Sequence, residues 1–391
     1  MNTNTGPDFF NAQLKISDQL WVGTVEIHVK SSDWYVHQHE MDANYDAVIL
    51  HVVWEHDMEV YMKNNVPLPT IVLQDYIPDN ILTNYDRLFH KNERWISCET
   101  QITEVDTFLF HNWLERLYFE RLERKSVLIY DLLEKSNNDF EAVLFQLLAK
   151  NFGLKVNGDS FLSLAQSVEF SLLRKVRHDR KVISALLFGQ AGFLEKEVDE
   201  DYFRQLKVAY IYLQKKHGIS PCIYAQFQFF RMRPANFPTV RLAQLIGLYH
   251  RHSNLFYELM NLESLEAVYT FFSIEVDSFW KNHYTFEATS KKTHKKLTKS
   301  FIDLLIINTI VPLKFVWMKS RGESLHEDIF LLLREMKPEK NTIVSKFSEI
   351  NISSTNAFET QALLELKNKY CDLKLCLSCV VGNKLLRNKI T

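Results

Sequence analysis

Asp8 and Glu26 are the two side chains whose types and separation first suggest chemistry. Glu26 opens Glu26-Ile27-His28, with Lys30 two residues on, in a stretch where Val25, Ile27 and Val29 alternate with Thr24, Glu26, His28 and Lys30. That period of two marks a half-buried strand, and it places Glu26, His28 and Lys30 on one face. If residues 12–16 form a strand that turns at Ser17, Asp18 and Gln19, antiparallel pairing sets Asp8 roughly opposite His28 and diagonal to Glu26, within about 8 Å. Two converging carboxylates offer hard oxygen ligands to Mg²⁺ or Mn²⁺, whose other positions go to water and substrate phosphate oxygens. The chemistry implied is metal-assisted hydrolysis, with Asp8 and Glu26 holding the ion and His28 or Lys30 orienting the attacking water.

Five of the fourteen histidines, His28, His37, His39, His51 and His56, fall within thirty residues, in company with Asp33, Glu40, Asp42 and Asp57. His37-x-His39 sets two imidazoles on one side of an extended segment. With Asp42 or His51 they offer a nitrogen and oxygen site to Zn²⁺ or Mn²⁺, either as a second metal site and a zinc-dependent hydrolase or as groups surrounding the first. The competing reading has these imidazoles capping turns and bonding to carboxylates. Cys371, Cys376 and Cys379 carry the leading C-x4-C-x2-C spacing of plant-type iron–sulfur ligation, with Cys98 or Cys222 as the fourth ligand. On a helix the three fall within an arc of ~140°, which serves equally as a buried apolar face; a zinc or iron–sulfur site and plain buried thiols both fit. Arg231, Arg233 and Arg241 surround a rigid Pro234 to Pro238 turn and could clamp phosphate, since guanidinium forks bind such groups bidentately. Two cationic runs, 174–181 and 281–299, are either tracks for a nucleic-acid backbone or solvated helix ends. Walker, dinucleotide, G-x-S-x-G and H-E-x-x-H patterns are absent, which removes support for nucleotide-dependent, serine-hydrolase and zincin chemistry.

Positioning these residues falls to a chain of 391 residues with 46% hydrophobic and 24% charged side chains, 10 Gly and 9 Pro. That composition excludes disorder and collagen-like structure. Lys and Arg number 46 against 48 Asp and Glu, for a net charge of −2, so any polyanion must be met by a local patch. Five cysteines, an odd number, point away from a disulfide framework, and residues 1–11 lack the features of a signal peptide. The apolar stretch 301–318 contains Asp303, Asn308, Pro312 and Lys314, so it reads as a core helix broken near Pro312. No membrane association is expected, and the expected location is cytoplasmic. Strands are expected at 24–30, 47–54 and 70–73. After Pro78 the period shifts toward 3.6, with helices at 105–135, 140–152, 160–170, 182–188, 200–216, 240–262, 297–310 and 357–389. The fold class is α+β: a small N-terminal mixed sheet over 1–100, then a mostly helical region over 101–391 that divides into 101–235 and 236–391.

Asp8, Glu26 and His28 resemble the metal-binding motif of the PD-(D/E)XK, or restriction-endonuclease-like, superfamily. The resemblance implies a metal-dependent nuclease in which Asp8 and Glu26 hold the ion and His28 stands where a lysine is usual. It also leaves room for a degenerate, non-catalytic module that binds nucleic acid or protein. A wider likeness runs through Gly6-Pro7-Asp8-Phe9, Gly23 to His28, Ser32-Asp33-Trp34, His37-Gln38-His39, Asp42, 48–53 and 233–238 to the C-terminal cysteines. It is similar to a bacterial family of unknown function, and it implies no activity of its own.

Overall fold

A computed structural model describes residues 2, 5–16, 18–89, 94–323 and 328–388. The chain divides into two compact units, Met1–Val105 with Lys374–Thr391, and Asp106–Leu373.

The first unit holds a four-stranded mixed sheet, β1 (Phe9–Ile16), β2 (Gln19–Lys30), β3 (Val48–Glu55) and β4 (Thr70–Val72), in the order β1-β2-β3-β4. β1 pairs antiparallel with β2, while β2 with β3 and β3 with β4 are parallel. The small N-terminal sheet followed by helices is the α+β arrangement expected from the sequence. Two details differ. The β1–β2 connection is tighter than expected, with Ile16 paired to Gln19, and the register shifts between Phe9 and Ala12, so Phe9 pairs with Val25. Asn11 takes a left-handed conformation at that irregularity (φ 52°). The slip brings Asp8 across from Glu26 rather than His28. Ser17, placed in the turn by the sequence, lies outside the described residues.

The second difference is the sense of the β2 alternation. Thr24, Val25, Glu26 and His28 are buried, whereas Ile27 and Val29 are 37% and 66% exposed, so from Glu26 onward the polar face is the covered one. Parallel strands need a crossover between them, and the β2–β3 crossover, residues 31–47, lies against the polar face. It begins with α1 (Asp33–Val36), a single turn whose Trp34 packs with Val48, Val60 and Leu68 in a small apolar cluster. Asp57 anchors the start of the crossover. Its carboxylate accepts from the Ser31 hydroxyl at 2.9 Å, the Ser32 amide at 2.9 Å and the Ser32 hydroxyl at 2.7 Å, and the Ser32 bonds hold its carboxyl down at about 2. At Gly23 a Cβ would lie 2.4 Å from an Ile49 methyl and 2.6 Å from the Ala47 carbonyl, so the close approach of β2 to the chain entering β3 requires glycine.

The expected helix over 357–389 is broken. Ala357–Leu366 continues into a π-helical turn, Lys367–Cys371, and a separate helix, Val380–Arg387, belongs to the first unit. There Asn84 of the helix Asp79–Phe89 donates to the carbonyls of Leu386 and Asn388 at 3.0 and 2.9 Å.

The second unit is helical. Its longest helix, Thr107–Lys135, is capped by Asp106, which accepts from the Leu109 amide, and Phe140–Phe152 has the bounds its periodicity predicts. Lys299–Ser320 is the one described helix long and apolar enough to cross a membrane by length and composition, and 72% of its apolar window is buried inside the protein. It does not break at Pro312. A π-helical turn at Ile306–Ile310 precedes the proline, with the Val311 amide reaching Ile306. In that pattern the Ile307 carbonyl would await the amide of residue 312, which proline lacks. The Lys125 ammonium donates to it instead at 3.3 Å, and to the Asn308 side chain.

Candidate metal centre

Glu26 is fixed from both sides by Asp8. The Asp8 amide donates to Glu26 Oε2 at 3.1 Å, and Asp8 Oδ2 accepts from the Ile27 amide at 3.0 Å. This reciprocal clasp leaves Glu26 Oε1 facing the imidazoles, 3.5 Å from both His28 Nε2 and His39 Nε2. His37 Nδ1 lies 3.1 Å from His28 Nε2. Among the described residues, His28, His37 and His39 form the one group of three or more His, Cys, Asp or Glu side chains whose donor atoms all lie within 4.8 Å of one another.

Local structure explains the convergence. His28 comes up from β2, while His37 and His39 come down from the end of α1, where Gln38 takes a left-handed turn (φ 60°). The segment is therefore a turn and not the extended segment inferred from His37-x-His39. Its amides are satisfied on α1, His37 donating to the Asp33 carbonyl and His39 to the Trp34 carbonyl. Tyr45 stacks on His39 with ring centroids 3.7 Å apart, and Trp34 meets His39 and His51 edge-on at 5.5 Å. A cavity of about 180 Å³ opens beside His39, between Trp34, Tyr45 and Lys63.

His51, fully buried on β3, shares a 2.8 Å hydrogen bond with His28 Nδ1 through its Nε2. With the His28 proton on Nδ1, donated to His51, His28 Nε2 faces the centre as an acceptor. This is the outer-shell contact that sets tautomer and ring orientation in metal-binding histidines. Burial, then the neighbouring imidazoles, holds His28 and His51 down at about 4, so both are neutral near pH 7. Burial also lowers His39. Glu26 is pushed up to about 7 by burial, opposed by the Asp8 amide and reinforced by the Asp8 charge.

These residues fit a divalent cation. Bonds of 2.0–2.1 Å in tetrahedral geometry put neighbouring donors roughly 3.3 Å apart; the three imidazoles, mutually within 4.8 Å, could close on one ion with a small adjustment, and Glu26 Oε1 lies 3.5 Å from two of them. Three imidazoles with one carboxylate suit zinc or manganese better than magnesium, which favours oxygen.

The sequence left His37 and His39 either in a second metal site or around the first, and in the structure they lie beside Glu26 and His28. Asp42 is spent elsewhere, capping the short helix Ala43–Tyr45 by accepting from the Asn44 amide at 2.9 Å. Lys30 is half exposed and pairs with Glu55 at 3.6 Å. Trp34 and Tyr45, the aromatic walls, carried no sequence signal beyond lying near the histidines. Cys376 sits in a 3-10 turn and Cys379 directly precedes Val380–Arg387, so the three C-terminal cysteines do not share the single helical face drawn from their spacing. Cys98, Cys376 and Cys379 are buried in the first unit, whereas Cys371 belongs to the second. Burial, then Cys379 and Cys376 nearby, pushes the Cys98 thiol up to about 12. Arg231 packs over Phe230, while Arg233 and Arg241 line a cavity in the second unit.

No curated protein and no solved structure matches this chain. A family of proteins of unknown function, DUF2851, matches over residues 1–342, and the chain belongs to that family.

Proposed function

We propose that the first unit is a zinc- or manganese-dependent phosphodiesterase acting on nucleic acid. The observation that carries the reading is the convergence of His28, His37 and His39, with Glu26 Oε1 3.5 Å from His28 Nε2 and His39 Nε2, beside Asp8 at the head of β1. The order of parts supports the resemblance to PD-(D/E)XK nucleases: an Asp at the start of one strand, Glu-x-His on its antiparallel partner, then a crossover to a parallel strand. A bound divalent ion supplies acidified water and a Lewis acid for the phosphoryl oxygen. The chain's own groups do the remaining work. Asp8 holds Glu26 in place, His51 sets the His28 tautomer, and Trp34 with Tyr45 walls off one side of His39. His37 is exposed, so the imidazole set is reachable from solvent on that side.

The test is cleavage of labelled DNA and RNA by the full chain with Mn²⁺, Zn²⁺ or Mg²⁺. Glu26→Gln and His28→Ala are each expected to lower the rate by about 100-fold or more, in line with the loss of metal ligation. Cleavage that persists in EDTA, or equal rates for wild type and both variants, refutes the proposal. A second reading is a structural metal site in a non-catalytic binding module. It is favoured by the number of donors, three imidazoles with a carboxylate beside them, which is the count a closed structural zinc site uses, and by the pairing of Lys30 with Glu55. Stoichiometric metal and nucleic-acid binding without cleavage selects it.

A further inference from the structure

The second unit contains a site of different chemistry. A cavity of about 430 Å³ is lined by Arg233, Asn236, Arg241, Lys296, Thr298 and Ser300 among others, with no carboxylate in its wall among the described residues. Arg241 is only 8% exposed. Its guanidinium donates to Gln244 Oε1 at 3.0 Å and to Asn236 Oδ1 at 2.6 Å, and stacks 3.7 Å from the centre of the Phe301 ring. Its Nε is buried with no partner. All of these contacts are neutral. A buried charge is ordinarily compensated by an opposite one, yet burial alone governs the Arg241 guanidinium and no neighbouring carboxylate offsets it.

The surroundings are built for the same charge. Gln244 is held by its own bond to the Lys295 carbonyl at 2.8 Å, which turns its oxygen toward Arg241. Lys295, also 8% exposed, has its ammonium on the Thr293 hydroxyl at 2.7 Å and over the Tyr284 ring at 3.3 Å, again neutral partners. The helix Lys299–Ser320 starts at the cavity, with Thr298 as its cap. The first amides of such a helix carry partial positive charge and bind oxyanions.

We propose that this cavity binds the phosphate of a phosphomonoester, with Arg241 as a buried fork, Arg233 and Lys296 at the rim, and the start of the Lys299–Ser320 helix donating amides. Guanidinium forks match phosphate oxygens in geometry and charge. The site is distinct from the metal centre and does not depend on its activity.

The test is calorimetric titration of the full chain carrying Glu26→Gln, in EDTA, with inorganic phosphate, adenosine 5′-monophosphate and a short oligonucleotide in 5′-phosphorylated and 5′-hydroxyl forms. Saturable binding of at least one phosphorylated probe is expected. Arg241→Gln should weaken it by roughly tenfold or more, the scale of a lost charge-assisted hydrogen bond. The exposed pair Arg233→Ala with Lys296→Ala should weaken it several-fold while circular dichroism stays unchanged, and this pair decides the matter if Arg241→Gln does not fold. Tighter binding of the 5′-phosphorylated oligonucleotide than of either small probe or the 5′-hydroxyl form assigns the ligand to a nucleic-acid end. Equal binding of the small probes assigns it to a free phosphate or nucleotide. Failure of every phosphorylated probe to bind, or binding unchanged in the variants, overturns the proposal.

Discussion

At the scale of single residues, His51 is the side chain that separates orientation from ligation. It touches His28 through Nε2, while its Nδ1 is buried without a partner, so it spends burial on one contact that fixes the His28 ring. His51→Phe keeps the volume and removes that contact. We expect it to lower affinity for zinc or manganese by about 10–100-fold, the scale found when outer-shell partners of metal ligands are lost, as read by competition against a chromophoric chelator. Affinity equal to wild type would show that His28 is oriented by packing alone. Much of this centre is legible in sequence: Glu26-x-His28 and His37-x-His39 announce their donors by type and spacing. What spacing does not disclose is that Gln38 adopts a left-handed turn, folding His37 and His39 back over β2. It equally hides the loss of Asp42 to a helix cap, because Asp is favoured both as a metal ligand and as a cap.

Among elements, strong periodicity was readable and its context was not. The alternation in β2 identifies a strand, but the crossover decides which face is covered. Here Trp34 draws the chain over Glu26 and His28 and leaves Ile27 and Val29 exposed. The helix Lys299–Ser320 shows the same limit, since Pro312 signals a break whose repair comes from a distant lysine. Lys125 fills the vacancy at the Ile307 carbonyl, and burial, then Arg121 and Arg124, brings its ammonium down to about 7 from the ordinary lysine value of 10.5. Between those two values the unfolded chain binds the proton and the folded chain does not, so stability rises with pH across that window. It is correspondingly lost as pH falls through about 7. Lys125→Met has no such group. Denaturant midpoints measured from pH 6 to pH 10 should therefore climb more steeply for wild type than for Lys125→Met, and parallel curves would contradict the assignment.

For the molecule as a whole, the candidate metal centre and the helix Lys299–Ser320 belong to different compact units, and ligand binding energy stabilises the structure that forms the site. A ligand at 1,000 times its dissociation constant contributes about 4 kcal/mol to the state that binds it, and a metal site couples its affinity directly to local folding. The donors lie on β2, on the turn after α1 and, one contact removed, on β3, all within residues 24–53. Hydrogen exchange with and without Zn²⁺ should thus show slower exchange in peptides covering 24–53, and unchanged exchange through 106–373. In Glu26→Gln the added protection should vanish, whereas in Arg241→Gln it should persist, because that residue lines a cavity of the other unit. Protection spread evenly over both units would mean that the ion acts on the chain at large, and the assignment of Glu26, His28, His37 and His39 as a discrete centre would fail.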